Sequence, residues 1–148
     1  MRHVNSKPVY RGTILALIGL WLLTGGLGGA TADAQSFSNQ SLHGTYGDIA
    51  SGTLAGESVT SIARFTFHGD GTCDLVARVN IAAAGSLAPI VATTCTYDVQ
   101  SDGTGTFTTE LPGLGTFNTA LVIVDNQKEV YMITTDPGVS VTVVLKKQ

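Results

Sequence analysis

Apolar and polar residues alternate along the chain from Thr45 onward, in short runs that turn residues interrupt. The runs are rich in Val, Ile, Thr, Phe and Tyr, which favour strands. Asp70-Gly71 and Asp102-Gly103 each follow such a run, and Asp-Gly is a strong hairpin signal because the turn needs positive φ angles. Seven turns predict eight strands, at 45–51, 58–67, 72–83, 89–99, 104–111, 116–124, 129–135 and 139–146.

The short links between these runs set the predicted topology. A parallel pair would need a crossover of roughly a dozen residues or more, so each strand is expected to pair antiparallel with the next. A meander of eight strands can close on itself and lose its open edges. We therefore predict an all-β fold, a single eight-stranded antiparallel up-and-down meander forming a closed barrel, with a β-sandwich as the alternative.

The alternation also predicts which side chains face the interior. The expected core residues are Val59, Ala63, Phe65, Phe67, Cys73, Leu75, Ala77, Val79, Ile81, Val91, Cys95, Tyr97, Val99, Val139, Val141, Val143 and Leu145. The sixth strand, by contrast, is apolar on both faces at Leu121-Val122-Ile123-Val124. This predicts either an exposed apolar patch or a cover supplied by the segment around Phe37.

The N-terminus has the layout of a secretory signal peptide. Arg2, Lys7 and Arg11 precede a ten-residue apolar run at 14–23, and Ala32-Asp33-Ala34 offers a small-x-small cleavage site, with a second at Ala30-Thr31-Ala32. A transmembrane anchor is the alternative, but a spanning helix needs about 20 apolar residues. We predict a signal helix in residues 1–34, cleavage after Ala34, and a secreted or periplasmic domain at 35–148 without a stable membrane anchor.

Cleavage would make the domain more acidic. It removes three basic residues and one acidic residue from the chain's totals of eight and eleven, which leaves a net charge of −5. Lys146-Lys147 is the only basic pair, and a phosphate backbone needs clustered Lys and Arg. The composition therefore excludes a nucleic-acid partner. It does not set an oligomeric state.

The two cysteines, Cys73 and Cys95, fall on neighbouring predicted strands. A hairpin in which they face each other is centred at residue 84, beside the Gly85-Ser86 turn, and puts both on the same face. Directly opposite Cβ atoms suit a disulfide, and an exported protein meets oxidising conditions. We predict a Cys73–Cys95 disulfide, with two free thiols or half of a metal site as the alternatives.

Few residues carry chemistry. His43 and His68 are expected to be exposed loop residues, and the sequence has no nucleophile elbow, phosphate loop or zinc-binding pair. We therefore assign no catalytic residue, no metal ligand and no cofactor. Asp48 and Glu110 lie within predicted strands, where an inward-facing carboxylate would be a candidate functional group.

Ser41-Leu42-His43-Gly44-Thr45-Tyr46 resembles the L-x-G-x-Y/W start of lipocalin-like (calycin) barrels. The segments from Phe67 to Cys73 and from Cys95 to Gly105 resemble small secreted bacterial proteins of unknown function with lipocalin-like or allene-oxide-cyclase-like barrels. The resemblance implies a barrel that can hold a small apolar ligand, and it carries over no catalytic residue. The T-D-Y segment and the C-terminal helix of lipocalins are absent.

Three functional hypotheses follow. The first is a non-enzymatic barrel that binds a small apolar ligand through interior residues, for which the candidates are Tyr46, Asp48, Phe65, Tyr97 and Phe107. The second is a structural or surface-interaction module, favoured by the doubly apolar sixth strand. The third is a confinement-type cyclase or isomerase, which requires interior polar groups such as Asp48 or Glu110 beside Tyr46.

Overall fold

The computed structural model describes residues 36–148, and the predicted signal helix, its cleavage site and the anchor alternative lie outside them. The described chain is all-β and antiparallel, with ten strands in one sheet. The strands are β1 (His43–Leu54), β2 (Glu57–His68), β3 (Cys73–Ile81), β4 (Gly85–Ser86), β5 (Ile90–Val91), β6 (Thr94–Val99), β7 (Thr104–Leu111), β8 (Gly115–Val124), β9 (Glu129–Thr134) and β10 (Val139–Lys147). Single 3-10 turns occur at Asn39–Ser41 and Asp125–Gln127.

The predicted count of eight strands is wrong, because the predicted strand at 89–99 is divided into β5 and β6 and the short β4 forms in the turn before it. The other seven predicted strands are present with small changes at their ends. All strands belong to one sheet, in the order β4-β3-β2-β1-β10-β9-β8-β7-β6, with β5 also pairing with β3. The first long strand therefore lies beside the last, as expected for a meander that curls on itself.

The sheet curls until β3 and β6 meet along a line that we call the seam. The regular ladder is replaced there by one isolated bridge between Thr72 and Thr96 and a hydrogen bond from the Tyr97 N–H to the Gly71 carbonyl. The predicted disulfide between Cys73 and Cys95 is confirmed, and it crosses the seam with 5.0 Å between Cα atoms. The disulfide thus joins β3 and β6, which have fewer hydrogen bonds between them than the other pairs of long neighbouring strands.

The division of the fourth predicted strand comes from its register with β3. Asn80 pairs with Ser86, so the hairpin is centred at residue 83, one position before the predicted centre. The register has shifted by one residue at the Ala77–Ile90 pair and by one more at the bridge between Thr72 and Thr96. Each shift places one extra residue on the strand opposite β3, which is the definition of a β-bulge.

Because of these bulges, one residue that was predicted to lie in the core is exposed instead. A one-residue shift sends side chains to the opposite face of a sheet. Val91 is 62% exposed, whereas Cys95 and Tyr97 on β6 are buried as predicted. Ile90 packs against the core in place of Val91.

The interior differs between the two ends of the curled sheet. At the N-terminal end, where the β2–β3, β6–β7 and β8–β9 turns lie, residues 37–42 cover the opening. Tyr46, Phe67 and Leu42 are fully buried there, and the Phe67 ring contacts Tyr46 and Tyr97 edge-to-face at 5.3 and 5.1 Å. The opposite end carries the β1–β2, β3–β4, β7–β8 and β9–β10 turns, and we call it the cavity end.

Candidate functional site: an interior cavity with one carboxylate

A cavity of about 110 Å³ occupies the cavity end of the sheet. Its wall is mainly apolar and is built from inward-facing positions of most of the long strands. The lining residues are Asp48, Ala50, Leu54, Val59, Ser61, Ala63, Phe65, Leu75, Ala77, Val79, Phe107, Thr109, Leu111, Leu114, Phe117, Thr119, Met132, Thr134, Val141 and Val143. The alternation that predicted the core thus also supplies the lining.

Small side chains leave this space. Ala63 lies directly opposite Ala77 in the β2–β3 ladder, and Ala50 lines the same wall on β1. Larger side chains fill the interior toward the N-terminal end, where the ring centroids of Phe65 and Phe107 lie 5.7 Å apart. These two rings separate the cavity from the filled N-terminal end.

Asp48 is the only charged side chain in the described lining. Its partners in the ladders are Ala63 on β2 and Leu145 on β10, whose side chains cannot form hydrogen bonds. The Oδ1 atom is buried and has no hydrogen-bond partner among the described residues. Burial raises the pKa of Asp48 to about 6, and a hydrogen bond from the backbone of Ala63 partly offsets this rise.

The threonine hydroxyls in the wall bind the backbone of the strands. Thr109 donates to the carbonyl of Thr94 at 3.0 Å and Thr119 to that of Phe107 at 3.1 Å. Thr134 donates to the carbonyl of Val139 and accepts from the Val141 N–H. Their protons are already engaged, and Ser61 is the other hydroxyl residue in the lining, so the carboxylate of Asp48 is the one ionisable group of the described lining.

The two predicted tyrosines face inward but lie outside the cavity lining. The Tyr46 hydroxyl donates to the Gln127 carbonyl at 2.9 Å, and burial raises its pKa. The Tyr97 hydroxyl accepts from the Gly69 N–H and donates to the Leu42 carbonyl, both at 2.9 Å, and burial raises its pKa too. Both side chains therefore hold the N-terminal end together.

Of the five residues named as ligand contacts, the structure brings Asp48, Phe65 and Phe107 together around the cavity. Glu110, the other carboxylate considered for the interior, faces outward and is exposed. Sequence reasoning did not name Met132 or Phe117, which also line the cavity. Extending the alternation rule to β8 and β9 would have found both.

His43 and His68 are exposed as expected, but they are not in loops, since they are the first residue of β1 and the last of β2 and lie opposite each other in the ladder. The Nε2 atom of His68 lies 3.3 Å from a carboxylate oxygen of Asp74. Residues 36–148 contain no cluster of three His, Cys, Asp or Glu side chains arranged to hold a metal ion. No helix in the same range has the length and apolar character needed to cross a membrane.

A row of apolar side chains crosses the outer face of the sheet. Ile62 lies opposite Ile49, Ile49 opposite Val144, Val144 opposite Tyr131, and Tyr131 opposite Val122. Ile49 is 64% exposed and Val122 is 37% exposed. The predicted patch on the doubly apolar strand is therefore present.

Phe37 covers a different site from this row. Its ring packs over Gly103 in the β6–β7 turn, at the N-terminal end. Its backbone N–H donates to the Ser101 carbonyl at 3.1 Å.

Neither the protein-family models nor the curated proteins give a match to this chain. Two solved structures are similar to it, each with a TM-score of 0.50. One is a redesigned β-barrel, mFAP1, bound to DFHBI, which is 23% identical over 74% of this chain and 97% of that chain. The other is EF1p2_mFAP2b bound to DFHBI, which is 18% identical over 78% of this chain and 98% of that chain. At this identity the similarity shows the fold, a β-barrel.

Proposed function

We propose that this protein is a closed, lipocalin-like β-barrel that binds a small, mostly apolar ligand in its interior, and that Asp48, Phe65 and Phe107 contact the ligand. The observation that carries the proposal is the cavity of about 110 Å³ behind an almost entirely apolar wall. An apolar cavity of about 150 Å³ is known to hold benzene, so this smaller cavity suits a ligand with at most one ring. The two structural neighbours also bind a small molecule, DFHBI.

Filling the cavity tests this function. The full chain is expressed in an exporting bacterial host, and toluene is titrated into the purified protein while amide chemical shifts are recorded by NMR. We expect shifts at the lining residues, and we expect Ala77→Leu to weaken toluene binding about tenfold or more because the added side chain occupies the space. Ala120→Leu, on the outer face of β8, is the matched control and should bind as the wild type does. Equal binding by both variants would overturn the proposal.

We also propose that the chain is exported, that residues 1–34 are removed as a signal peptide, and that 35–148 is the mature domain. The Cys73–Cys95 disulfide supports this location, because disulfides persist in oxidising compartments. Intact-mass measurement of the exported protein should give a chain that begins at Gln35 and lacks two hydrogens at its cysteines. A mass that includes residues 1–34 would overturn the cleavage.

A surface-interaction function is the second candidate, and the outer apolar row favours it. The row is continuous from Ile62 to Val122 and contains no charged side chain, so a second copy could pack on it face to face. Sedimentation at increasing concentration should then show a dimer that Ile49→Thr dissociates. A wild-type monomer at all concentrations would exclude self-association through this row.

Confinement-type catalysis has weaker support. It requires polar groups that converge inside the barrel. Glu110 faces outward, and the Tyr46 hydroxyl already donates to the Gln127 carbonyl at the N-terminal end. Asp48 is the only carboxylate in the described lining.

A further inference from the structure

Asp48 gives the cavity a chemical preference that its apolar wall alone would not have. Its inward-facing side chain lies on β1 between Tyr46 and Ala50, and the described lining contains no Lys, Arg or His that could pair with it. A buried carboxylate without a cation or a full set of donors is costly. No group in residues 36–148 donates to its Oδ1 atom.

The surrounding side chains would suit a cation with an apolar body. Phe65, Phe107 and Phe117 line the same cavity, and aromatic faces attract cations through the ring quadrupole. The remaining wall is mainly aliphatic. The volume of about 110 Å³ limits the body to about the size of one ring or a short branched chain.

We propose, resting on the proposed ligand-binding function, that the cavity selects a small monocationic amine whose ammonium group pairs with the Asp48 carboxylate and whose apolar body lies among the aromatic and aliphatic lining. The ligand supplies the positive charge that the cavity lacks. The cavity supplies a desolvated carboxylate, which strengthens a charge-assisted hydrogen bond. A neutral ligand of the same shape would leave the carboxylate unpaired.

The preference should depend on pH. At neutral pH the Asp48 carboxyl is mostly ionised, and below about pH 6 it becomes protonated and can no longer pair with a cation. Tyr46 is the nearest titratable residue along β1, and the ladder partners Ala63 and Leu145 do not titrate. The threonines across the cavity do not titrate either. A change in amine affinity between pH 7.5 and 5 would therefore report on Asp48.

Three single-ring probes test the proposal on the purified, full-chain expression product: benzylamine, benzyl alcohol and toluene. Calorimetric titration at pH 7.5 should show benzylamine binding about tenfold or more tightly than benzyl alcohol. Asp48→Asn should remove that advantage, and the dispersion of its amide chemical shifts by NMR, compared with the wild type, checks that the variant is folded. Asp98→Asn, which changes an outward-facing acid on β6, is the matched control and should behave as the wild type.

The outcomes separate the two proposals. Toluene binding without a preference for benzylamine, or a preference that survives Asp48→Asn, would overturn the amine selectivity and leave the binding function standing. Failure of all three probes to bind would overturn both. A loss of benzylamine affinity of about tenfold between pH 7.5 and 5 in the wild type, absent in Asp48→Asn, would support the amine proposal.

Discussion

The disulfide between Cys73 and Cys95 lies directly beside the bridge that joins Thr72 to Thr96, where the long strands share the fewest hydrogen bonds. The disulfide therefore crosses the contact that main-chain hydrogen bonds support least. The two cysteines are separated by 22 positions in the sequence, and the disulfide closes that segment into a loop.

Removing the disulfide should destabilise the fold strongly. In the chain-entropy account a loop of this length contributes about 3 kcal/mol, so Cys73→Ser with Cys95→Ser should lower the free energy of unfolding by about that amount in urea titrations. The wild type with added reductant should approach the double variant, while reductant should not affect the double variant. An unchanged urea midpoint in the double variant would show that the seam is stable without the bond.

The Tyr97 hydroxyl should contribute measurably to stability. Tyr97→Phe leaves the Gly69 N–H and the Leu42 carbonyl without their partner, so we expect a loss of about 1–3 kcal/mol in the free energy of unfolding. Tyr131→Phe removes an exposed hydroxyl bonded to Glu129 and should leave the midpoint nearly unchanged. Equal effects of the two substitutions would contradict the anchoring role of Tyr97.

Gly103 should tolerate alanine less well than Gly113 does. Both have positive φ angles, +85° and +83°, so alanine strains the backbone at each by about 1–2 kcal/mol. At Gly103 a Cβ would also lie 3.0 Å from the Phe37 ring, whereas at Gly113 it would meet open space. Thermal unfolding should show a larger loss for Gly103→Ala, and the difference measures the packing of Phe37. Equal losses would place Phe37 away from this turn in solution.

Asp48 should make stability depend on pH in the direction opposite to most carboxylates. Its folded-state pKa of about 6 is above its ordinary value of 3.8, so its contribution to stability is full below about pH 4 and is lost as pH rises through 6. We expect the stability of the wild type relative to Asp48→Asn to fall by about 2 kcal/mol between pH 4 and 7.5, allowing for partial solvent exposure. Urea titrations at both pH values measure this difference.

Asp136 provides the contrast for that experiment. Hydrogen bonds from the side chain and backbone of Asn118 hold the pKa of Asp136 below its ordinary value. Its contribution to stability is therefore present at neutral pH and lost as pH falls through the acidic range. The wild type should lose stability relative to Asp136→Asn on acidification. Parallel pH curves for the wild type and Asp48→Asn would contradict the buried placement of Asp48.

Most strands and their faces were predictable because they depend on local patterns, whereas Cys73 lies opposite Cys95 only because two bulges shift the register of the hairpin. Alternation placed Phe65, Ala77 and Leu145 in the interior, and the Asp-Gly turns bounded the hairpins. Val91 was misplaced because the two bulges opposite β3 alter the register within the predicted strand, the first of them in the segment that contains Pro89. A bulge is set by how neighbouring strands fit in three dimensions, which a single strand's alternation does not encode.

The site was less predictable for a related reason. That Asp48 faces inward follows from the parity of β1, but whether the space beside it is filled depends on side chains of other strands. Phe65 and Phe107 meet each other near the middle of the interior, and Ala63 meets Ala77 nearer the cavity end. These pairings arise from the relative stagger of the strands. The sequence alone therefore allows two outcomes, an interior filled by side chains or one that leaves a cavity.

The pairing of β1 with β10 has a consequence for biogenesis. The strand at 43–54 acquires one of its two neighbours only from residues 139–147, so its edge stays unpaired through most of synthesis and any export. Val141 and Val143, which wall the cavity, arrive on that same final strand. The cavity is thus complete only at the end of folding, and a nascent chain that lacks residues 139–147 has no finished pocket.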